Sequence, residues 1–380
     1  MRRLSLISAF AAALLPGCNG PGTTTTTDMA TAATVDLATA AGDAGGTDCT
    51  KAVTHIDKAV CAANNFLAVL PAGQKSSVNL AFTDNASRTK WSNLPGVARA
   101  GLKMSALDQA SQTAALALMS TLLSASGAAD LTGTRAADDY LGSMGGGMAG
   151  QYGAGNYYVA VFGTPSSTGN WEVAFGGHHM AFNITYLAGT GYPVPNHLGV
   201  EPKGSFTING NTYEPMQDEG AAVLAAFKAL GAGELDTAYL SGQTFADVVV
   251  GPVEYGTGST TASKAKFPTG GNRKGVLVSN LTAQQQALVT AAIQAWVADY
   301  DPAVATPLLT AYTGAYADTY LAWGGTKASG VDPDVNGTYM RIDGPRVWIE
   351  LSCQGGVVIQ GKTHYHSIFR DKQSDYGGTI

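Results

Sequence analysis

Charged residues are scarce in this 380-residue chain: lysine, arginine, aspartate and glutamate make up 13% of it, and the formal net charge is −6. Its lysines and arginines form no cluster, so nucleic acid and anionic lipid headgroups are poor partners for it. Beyond the N-terminus, no apolar run reaches the roughly 20 residues of a membrane span. The H-E-x-x-H zinc motif, the G-x-S-x-G nucleophile elbow and phosphate-binding loops are also missing. No familiar catalytic signature therefore assigns a reaction.

The first residues are typical of an exported protein. Two arginines precede a mostly apolar run from Leu4 to Leu15, which is too short for a membrane anchor but suits a signal peptide. The run is followed by Pro16-Gly17-Cys18, and this small residue directly before a cysteine resembles the lipobox of bacterial lipoproteins, whose cysteine is acylated. An ordinary secretory signal is the alternative. The resemblance implies a signal peptide over residues 1–17 and a lipid anchor in the cell envelope, at the outer membrane or cell surface.

Residues 18–48 contain a run of five threonines, many small residues and no aromatic residue. Such a segment buries too little apolar surface to offset the entropy of ordering it. We therefore predict a disordered, lipidated tether there. No second linker follows, so residues 49–380 are predicted to form a single globular domain.

Periodicity predicts a mixture of helices and strands without regular βαβ alternation. The fold class is therefore α+β, with mixed helices and a largely antiparallel sheet. The helices are expected near residues 53–67, 106–124, 216–230 and 282–298, and the strands near 157–163, 171–186, 339–342, 347–353 and 357–369.

The chain contains one internal echo. The pattern R-x-G-x-x-x-S-x-L-x-x-x-x-Q begins at Arg99 and again at Arg273, and each copy leads into an Ala/Leu-rich helical stretch. The echo records either an internal duplication of a strand-helix unit or a repeated strand-to-helix turn.

Besides Cys18, the chain has three cysteines. Cys49 and Cys61 would lie about 18 Å apart if one helix carried both. They can form a disulfide only if that helix starts late or breaks, because the Cα atoms must come within about 7 Å. Cys353 is predicted to be a buried, inert thiol.

Four of the six histidines fall in two tight groups. His364 and His366 are two residues apart in a predicted strand, so they point to the same face and can bind one ion together. In the strand predicted over 171–186, His179 lies on the polar face, whereas His178 lies among apolar neighbours. A bulge at Gly176-Gly177 would bring both histidines to the site.

The last two predicted strands flank Gly355-Gly356. With a three-residue loop or a glycine bulge, the apolar side chains of the two strands lie on the same face, whereas a two-residue turn would place apolar side chains of one strand beside polar side chains of the other. The shifted register collects the polar residues on one face: Trp348, Glu350, Lys362, His364 and His366.

A carboxylate beside two or three imidazoles fits a zinc, iron or copper site, or an acid/base group next to a metal. His178, His179, His364 and His366 are the candidate ligands, and Glu350 is a ligand or acid/base group. The alternative is a polar sheet face in which the histidines are hydrogen-bonded.

Several motifs resemble the bacterial domain-of-unknown-function family numbered 3500. They are Gly177-His178-His179, Ile349-Glu350, His364-x-His366-x-x-x-Arg370-Asp371 and Asp375-Tyr376-Gly377, and the likeness covers about residues 60–380. The resemblance implies no function, but it makes Glu350, His364, His366, Arg370 and Asp371 a family signature. Arg370 either orients a substrate through its carboxylate or phosphate, or closes the strand against the turn that begins at Asp375.

A weaker pattern has the oxygen spacing of a calcium loop: Asp332, Asp334, Asn336 and, at the twelfth position, Asp343. An ordinary Asx-rich turn is the alternative.

Three functional hypotheses follow. The first is a surface-anchored metalloenzyme, a hydrolase or oxidoreductase that acts on a small-molecule or polymeric extracellular ligand. The second is a non-catalytic lipoprotein that binds a ligand or a metal at the same face. In the third, the histidines bind nothing and the protein is purely structural.

Overall fold

The computed structural model describes residues 47–252 and 266–380. The predicted signal peptide, Cys18 and nearly all of the predicted tether lie outside these residues. The described residues belong to one compact unit.

Side-chain caps mark several helix starts. Thr54, Asp108, Ser124 and Thr282 each accept a hydrogen bond from a backbone N–H in the first turn that follows, which satisfies a donor that the helix itself leaves free.

Of the described helices, none is long and apolar enough to cross a bilayer. They are α1 (His55–Val69), α2 (Ala72–Val78), α3 (Asn85–Arg88), α4 (Gln109–Leu122), α5 (Ala125–Ser143), α6 (Gln217–Lys228), α7 (Ala232–Ala238), α8 (Ala283–Val297) and α9 (Pro302–Thr313).

The predicted α+β class is confirmed, because within the described residues twelve strands form one largely antiparallel sheet and two more form a small hairpin. The order in the large sheet is β1-β3-β4-β5-β7-β14-β13-β12-β11-β10, with β2 beside β3 and β6 beside β5. The strands are β1 (Asn79–Leu80), β2 (Leu102–Lys103), β3 (Tyr158–Gly163), β4 (Asn170–Gly177), β5 (Met180–Leu187), β6 (Thr190–Tyr192), β7 (Asn196–Val200), β8 (Phe206–Ile208), β9 (Asn211–Tyr213), β10 (Val276–Leu277), β11 (Tyr320–Gly324), β12 (Thr338–Asp343), β13 (Val347–Gly355) and β14 (Thr363–Asp371).

The two faces of this sheet are covered differently. On one face, side chains such as Phe182, Ile349 and Phe369 pack with helices α1, α4 and α8 in the main core. On the other face, Trp348 and Ile368 belong to a smaller apolar cluster. Its other members come from segments outside the sheet, among them Trp91, Val250 and Phe267. Residues two apart on a strand share a face, so His364 and His366 lie on this loop-covered side with Ile368.

The echo extends well beyond a single turn. After each glycine of the motif, a short strand (β2 or β10) leads through one turn of 3₁₀-helix into a long helix (α4 or α8). The short strands pair antiparallel with β3 and β11 respectively. The motif glutamines repeat the same contact, since Gln112 and Gln286 each donate to the carbonyl five residues earlier, at 2.9 Å.

Larger elements repeat as well. Helix α1 packs on α4 as α6 packs on α8. The parallel pairing of β1 with β3 at Asn79 has a counterpart in the bridge between Tyr239 and Trp323. The two sets of repeated elements meet where β7 of the first set pairs antiparallel with β14 of the second, with Asn196 opposite Phe369. The repeated unit is therefore a half-domain, which favours the duplication over a repeated turn.

In the hairpin of β13 and β14, the predicted side chains share a sheet face as expected, but the pairing register differs from the predicted one. Gly355 pairs with Thr363, so seven residues form the loop and the strand predicted from Val357 begins six residues later. The shift is an even number of residues, so Trp348, Glu350, His364 and His366 still share one face. Lys362 is the exception, because it lies exposed in the loop.

The cysteines satisfy the condition set by their spacing. Helix α1 begins only at His55, so Cys49 folds back in a preceding 3₁₀ turn. Cys49 and Cys61 form a disulfide with a Cα–Cα distance of 5.7 Å. Cys353 is a free, buried thiol, and burial raises its pKa to about 12.

We predict that Gly101→Ala and Gly275→Ala destabilise the protein similarly, by at least about 1–2 kcal/mol each. Both glycines have positive φ, and a Cβ would collide with the carbonyl oxygen of Val159 or Leu321. The control is Gly73→Ala in α2, where the space is open and alanine should stabilise the helix. Chemical denaturation measures all three. A neutral result at either glycine would contradict the predicted collision with the carbonyl oxygen of Val159 or Leu321.

Candidate metal centre

The adjacent histidines form the turn between β4 and β5. Gly177 pairs with Met180, which leaves His178 and His179 as the two loop residues. His179 has a φ of 61°, a left-handed conformation usually taken by glycine or asparagine. The continuous strand predicted over 171–186 is therefore wrong, and so is the placement of His178 on an apolar face.

Neighbouring groups hold this turn by its backbone. The Tyr157 hydroxyl donates to the carbonyl of His178 at 2.8 Å. The N–H of His179 donates to the carbonyl of Asn93 at 3.1 Å, and the N–H of Gly199 donates to the carbonyl of His179 at 2.7 Å. The strained turn is thus fixed from three directions.

The imidazoles of His179, His364 and His366 converge. The Nε2 atoms of His364 and His366 are 3.2 Å apart, and one nitrogen from each of the three rings lies within 4.8 Å of the others. All three residues are at most 5% exposed. Gly199 leaves the space for them, because a Cβ there would lie 3.1 Å from the His366 ring and 3.3 Å from the His179 ring.

This group can hold a metal ion. Two nitrogens bound at about 2.05 Å to a tetrahedral ion lie about 3.3 Å apart, close to the observed Nε2–Nε2 separation. Burial, followed by the neighbouring imidazoles, lowers the pKa of His364 to about 3 and that of His179 well below its usual value. Both rings are therefore neutral near pH 7, as metal ligands must be.

Asp247 orients one of these rings. Its Oδ1 lies 2.9 Å from Nδ1 of His366. Burial alone would raise the pKa of Asp247, but the hydrogen bond and charge interaction with His366 lower it to about 2. The ionised carboxylate only accepts, so Nδ1 of His366 carries the proton of this hydrogen bond, and Nε2 is the ring nitrogen that faces His364.

A second carboxylate–imidazole pair borders the group. Nδ1 of His178 lies 2.6 Å from Oδ1 of Asp138, on helix α5. The His178 ring stacks on the His179 ring, with centroids 3.6 Å apart. His178 is not one of the three converging histidines, but it lies directly against them.

Glu350 does not belong to the group. Its carboxylate is fully buried and accepts hydrogen bonds from the N–H groups of Val249 and Val250 and from the Tyr339 hydroxyl, at 2.8, 2.9 and 2.5 Å. The expectation of a ligand or acid/base group is therefore corrected, because its oxygens are committed to the backbone just after Asp247. Glu350 is a positioning residue for that segment.

Arg370 is equally committed. Its Nε donates to Asp375 at 2.7 Å, and its Nη1 donates to the carbonyl of Val250 at 3.1 Å. The side chain is 1% exposed. Of the two alternatives, the structure supports closure of the strand against the Asp375 turn, because the donors on Nε and Nη1 are used within the protein.

The two remaining histidines, His55 and His197, are packing residues. Nε2 of His55 lies 2.8 Å from the Tyr186 hydroxyl, at the start of α1. His197 is fully buried, its ring is 5.5 Å from that of His366, and neither of its nitrogens has a hydrogen-bond partner among the described residues. Burial, followed by the repulsion of His366, lowers the pKa of His197 to about 3.

The calcium pattern is an Asx-rich turn instead. Asp334 pairs with Lys203, and the Asn336 amide oxygen accepts from the Gly355 N–H at 2.9 Å. Asp332 caps the turn by accepting from the N–H of Asp334. Asp343 ends strand β12 and pairs with Lys372 and Arg273, so these oxygens do not surround a common point.

Sequence reasoning missed three residues of the centre. Asp138 had a signal, because Asp130, Thr134 and Asp138 recur every four residues on the buried side of α5, and such a polar stripe is unusual. Asp247 and Asn93 lie in irregular segments, where spacing carries no information about which side chains meet.

The chain belongs to a family described as proteins of unknown function (DUF3500), whose model matches residues 52–378. Neither the curated proteins nor the solved structures contain a match to this chain. Family membership therefore identifies the class of protein but no activity, so any chemistry must be inferred from the geometry of the site.

We predict that His197→Phe stabilises the metal-free protein more at pH 5 than at pH 8. A histidine with a folded pKa near 3 binds its proton only in the unfolded chain at pH 5, so the free energy of unfolding falls as the pH drops below about 6.5. The pH-dependent part should be about 2 kcal/mol at pH 5 and close to zero at pH 8. Denaturant melts of both proteins in a chelator test this, and an equal difference at the two pH values would show that His197 does not titrate in this way.

Proposed function

We propose that this protein is a lipid-anchored metalloprotein of the cell envelope whose His179, His364 and His366 bind a zinc, copper or iron ion for hydrolytic or oxidative chemistry. The convergence of three imidazole nitrogens within 4.8 Å carries the proposal. Nitrogen donors suit these transition metals rather than magnesium or calcium. Three protein ligands leave a coordination position for water or substrate, as in catalytic zinc sites.

The bound ion would supply Lewis-acid polarisation of a substrate or water oxygen. The chain's own residues supply orientation and proton handling. Asp247 keeps the proton on Nδ1 of His366, so that Nε2 faces the centre. Asp138 likewise fixes Nδ1–H of His178, which leaves Nε2 as the basic atom of that ring. His178 is thus suited to general acid/base work beside the three ligands.

A surface cavity supports access for a small polar ligand. It is lined by Asn93, Asp247, Val248, Val249, Gly251, Pro252 and Lys266. Asp247 and Asn93 both approach Nδ1 of His366, so a molecule in this cavity is one side chain away from the centre. The Asp247 side chain is 33% exposed, whereas that of His366 is 6% exposed.

The low exposure of the three imidazoles also favours a second candidate function, a non-catalytic metal-binding protein. Structural metal sites are closed to solvent, whereas catalytic sites keep an open position. The two functions share the ligands and differ in whether an external molecule reaches the ion.

We expect protein purified without an affinity tag to contain about one transition-metal ion per chain, and His364→Ala combined with His366→Ala to abolish this. His55→Gln is the matched control, because His55 lies at α1 and should leave metal content unchanged. Asp247→Asn should weaken affinity about 10–100-fold without removing a ligand. Elemental analysis and competition with a chelating dye measure these effects. Full metal content in the double variant would rule out this centre.

Cobalt substitution separates the two candidate functions. In a catalytic site with an open position, azide should bind the cobalt and change its visible absorption spectrum. An unchanged spectrum at saturating azide would favour the closed, non-catalytic centre. Wild-type protein and Asp247→Asn, both loaded with cobalt, are compared.

The envelope location rests on the N-terminal sequence, and it predicts that Cys18→Ser releases the protein from membranes. Wild-type protein should partition into detergent and carry an acylated Cys18 by mass spectrometry. Cys353→Ser, which changes only a buried thiol, is the control. Recovery of the Cys18 variant in the membrane fraction at the wild-type level would contradict the anchor.

A further inference from the structure

A second group of titratable side chains lies away from the histidines, among the helices. Asp130 is on α5, Glu219 is on α6, and Asp299 lies between α8 and α9. One carboxylate oxygen from each lies within 4.8 Å of the other two. Their exposures are 7, 1 and 0%. Three carboxyl groups from distant parts of the chain therefore meet in the interior.

Among the described residues, this acidic group forms no ion pair. Neither oxygen of Glu219 or Asp299 has a hydrogen-bond partner among the described residues, whereas Asp130 accepts from the N–H of Met216 at 2.7 Å. Asp218, a further acidic residue, also raises the pKa of Asp130 and Asp299. Burial and then mutual repulsion raise the pKa of both Glu219 and Asp299 well above the usual values.

Unpaired ionised carboxylates are very costly to bury, so such a group must hold either protons or a cation. We infer that Asp130, Glu219 and Asp299 form a binding site for a hard divalent cation, with calcium as the best fit, separate from the histidine centre. Oxygens bound to one Ca²⁺ at about 2.3–2.6 Å lie at most about 5 Å apart, which accommodates the observed spacing. An all-oxygen donor set favours calcium, magnesium or manganese over zinc or copper.

A surface groove lies close to the acidic group, and a cation bound there would stabilise the packing of the surrounding helices. A surface groove between α6 and α8 is lined by residues that include Asp218 and Ala298, the sequence neighbours of Glu219 and Asp299. A bound cation would neutralise the repulsion between α5, α6 and the junction of α8 with α9. Helix α5 also carries Asp138, eight residues after Asp130 and about 12 Å along the axis. The cation would therefore hold the helix that presents Asp138 to His178.

The test is calorimetric and thermal titration of chelator-treated full-length protein with Ca²⁺, Mg²⁺ and Mn²⁺ salts. Calcium should raise the melting temperature of the wild type by about 3–8 °C at a hundredfold excess over Kd. The same rise is expected in the variant that combines His364→Ala with His366→Ala, because its acidic site is intact. This arm keeps the result independent of the proposed transition-metal centre.

Glu219→Gln combined with Asp299→Asn should abolish the calcium response, whereas Glu214→Gln, an exposed change on the segment before α6, should retain it. A response that persists in the double variant would place the cation elsewhere and overturn the inference. So would a wild type with no binding heat, no thermal shift and no co-purified divalent cation, since the carboxyl groups would then share protons. If the double variant does not fold, the wild-type titration still decides between cation and protons.

Discussion

The antiparallel pairing of β7 with β14 is the contact on which the rest of the molecule depends. It joins the two half-domains into one continuous sheet, and its register sets Gly199 opposite His366. The turn of β4 and β5 belongs to the first half and the histidine strand to the second, so neither half alone contains the centre. Because strand pairing specifies side-chain faces residue by residue, one register places His364 and His366 beside the turn that carries His179.

Buried polar groups around the centre form a support, and most of them are not reactive. Glu350 and Arg370 both bind the backbone of one short segment. The Glu350 carboxylate accepts hydrogen bonds from the N–H groups of Val249 and Val250. The Arg370 guanidinium donates to the carbonyl of Val250. That segment carries Asp247 to His366. Removing a partner from such a network leaves a buried group unsatisfied, so these residues resemble a family signature for structural reasons. Glu350 looked like a metal ligand because it shares a strand face with His364 and His366, and Arg370 looked functional because it follows the His364-x-His366 motif.

Much of the sheet could be predicted from alternation, and the parts that could not have identifiable physical reasons. The face shared by Glu350, His364 and His366 was predicted correctly, because a shift by an even number of residues leaves the faces unchanged. The register itself was wrong because Val357 lies in a loop although its residue type favours strands. Here Glu201 takes the place of a partner strand by accepting the N–H groups of Val358 and Ile359. The histidine turn was missed since neither residue is a usual turn former. The contribution of Asp247 depends on a long-range contact that no local pattern encodes.

Departures from local rules occur at both candidate sites. His179 adopts a left-handed conformation where glycine or asparagine would be less strained. Met216, which immediately precedes α6, does the same, and its N–H reaches Asp130. Buried polar groups without hydrogen-bond partners among the described residues include His197 beside the imidazoles and Glu219 among the carboxylates. Backbone strain and unsatisfied buried polar groups destabilise a protein. In an interior with only a structural role, substitutions would remove them. At both sites these costs agree with the ions that we propose there, a nitrogen-ligated ion on the loop-covered face and an oxygen-ligated ion among the helices.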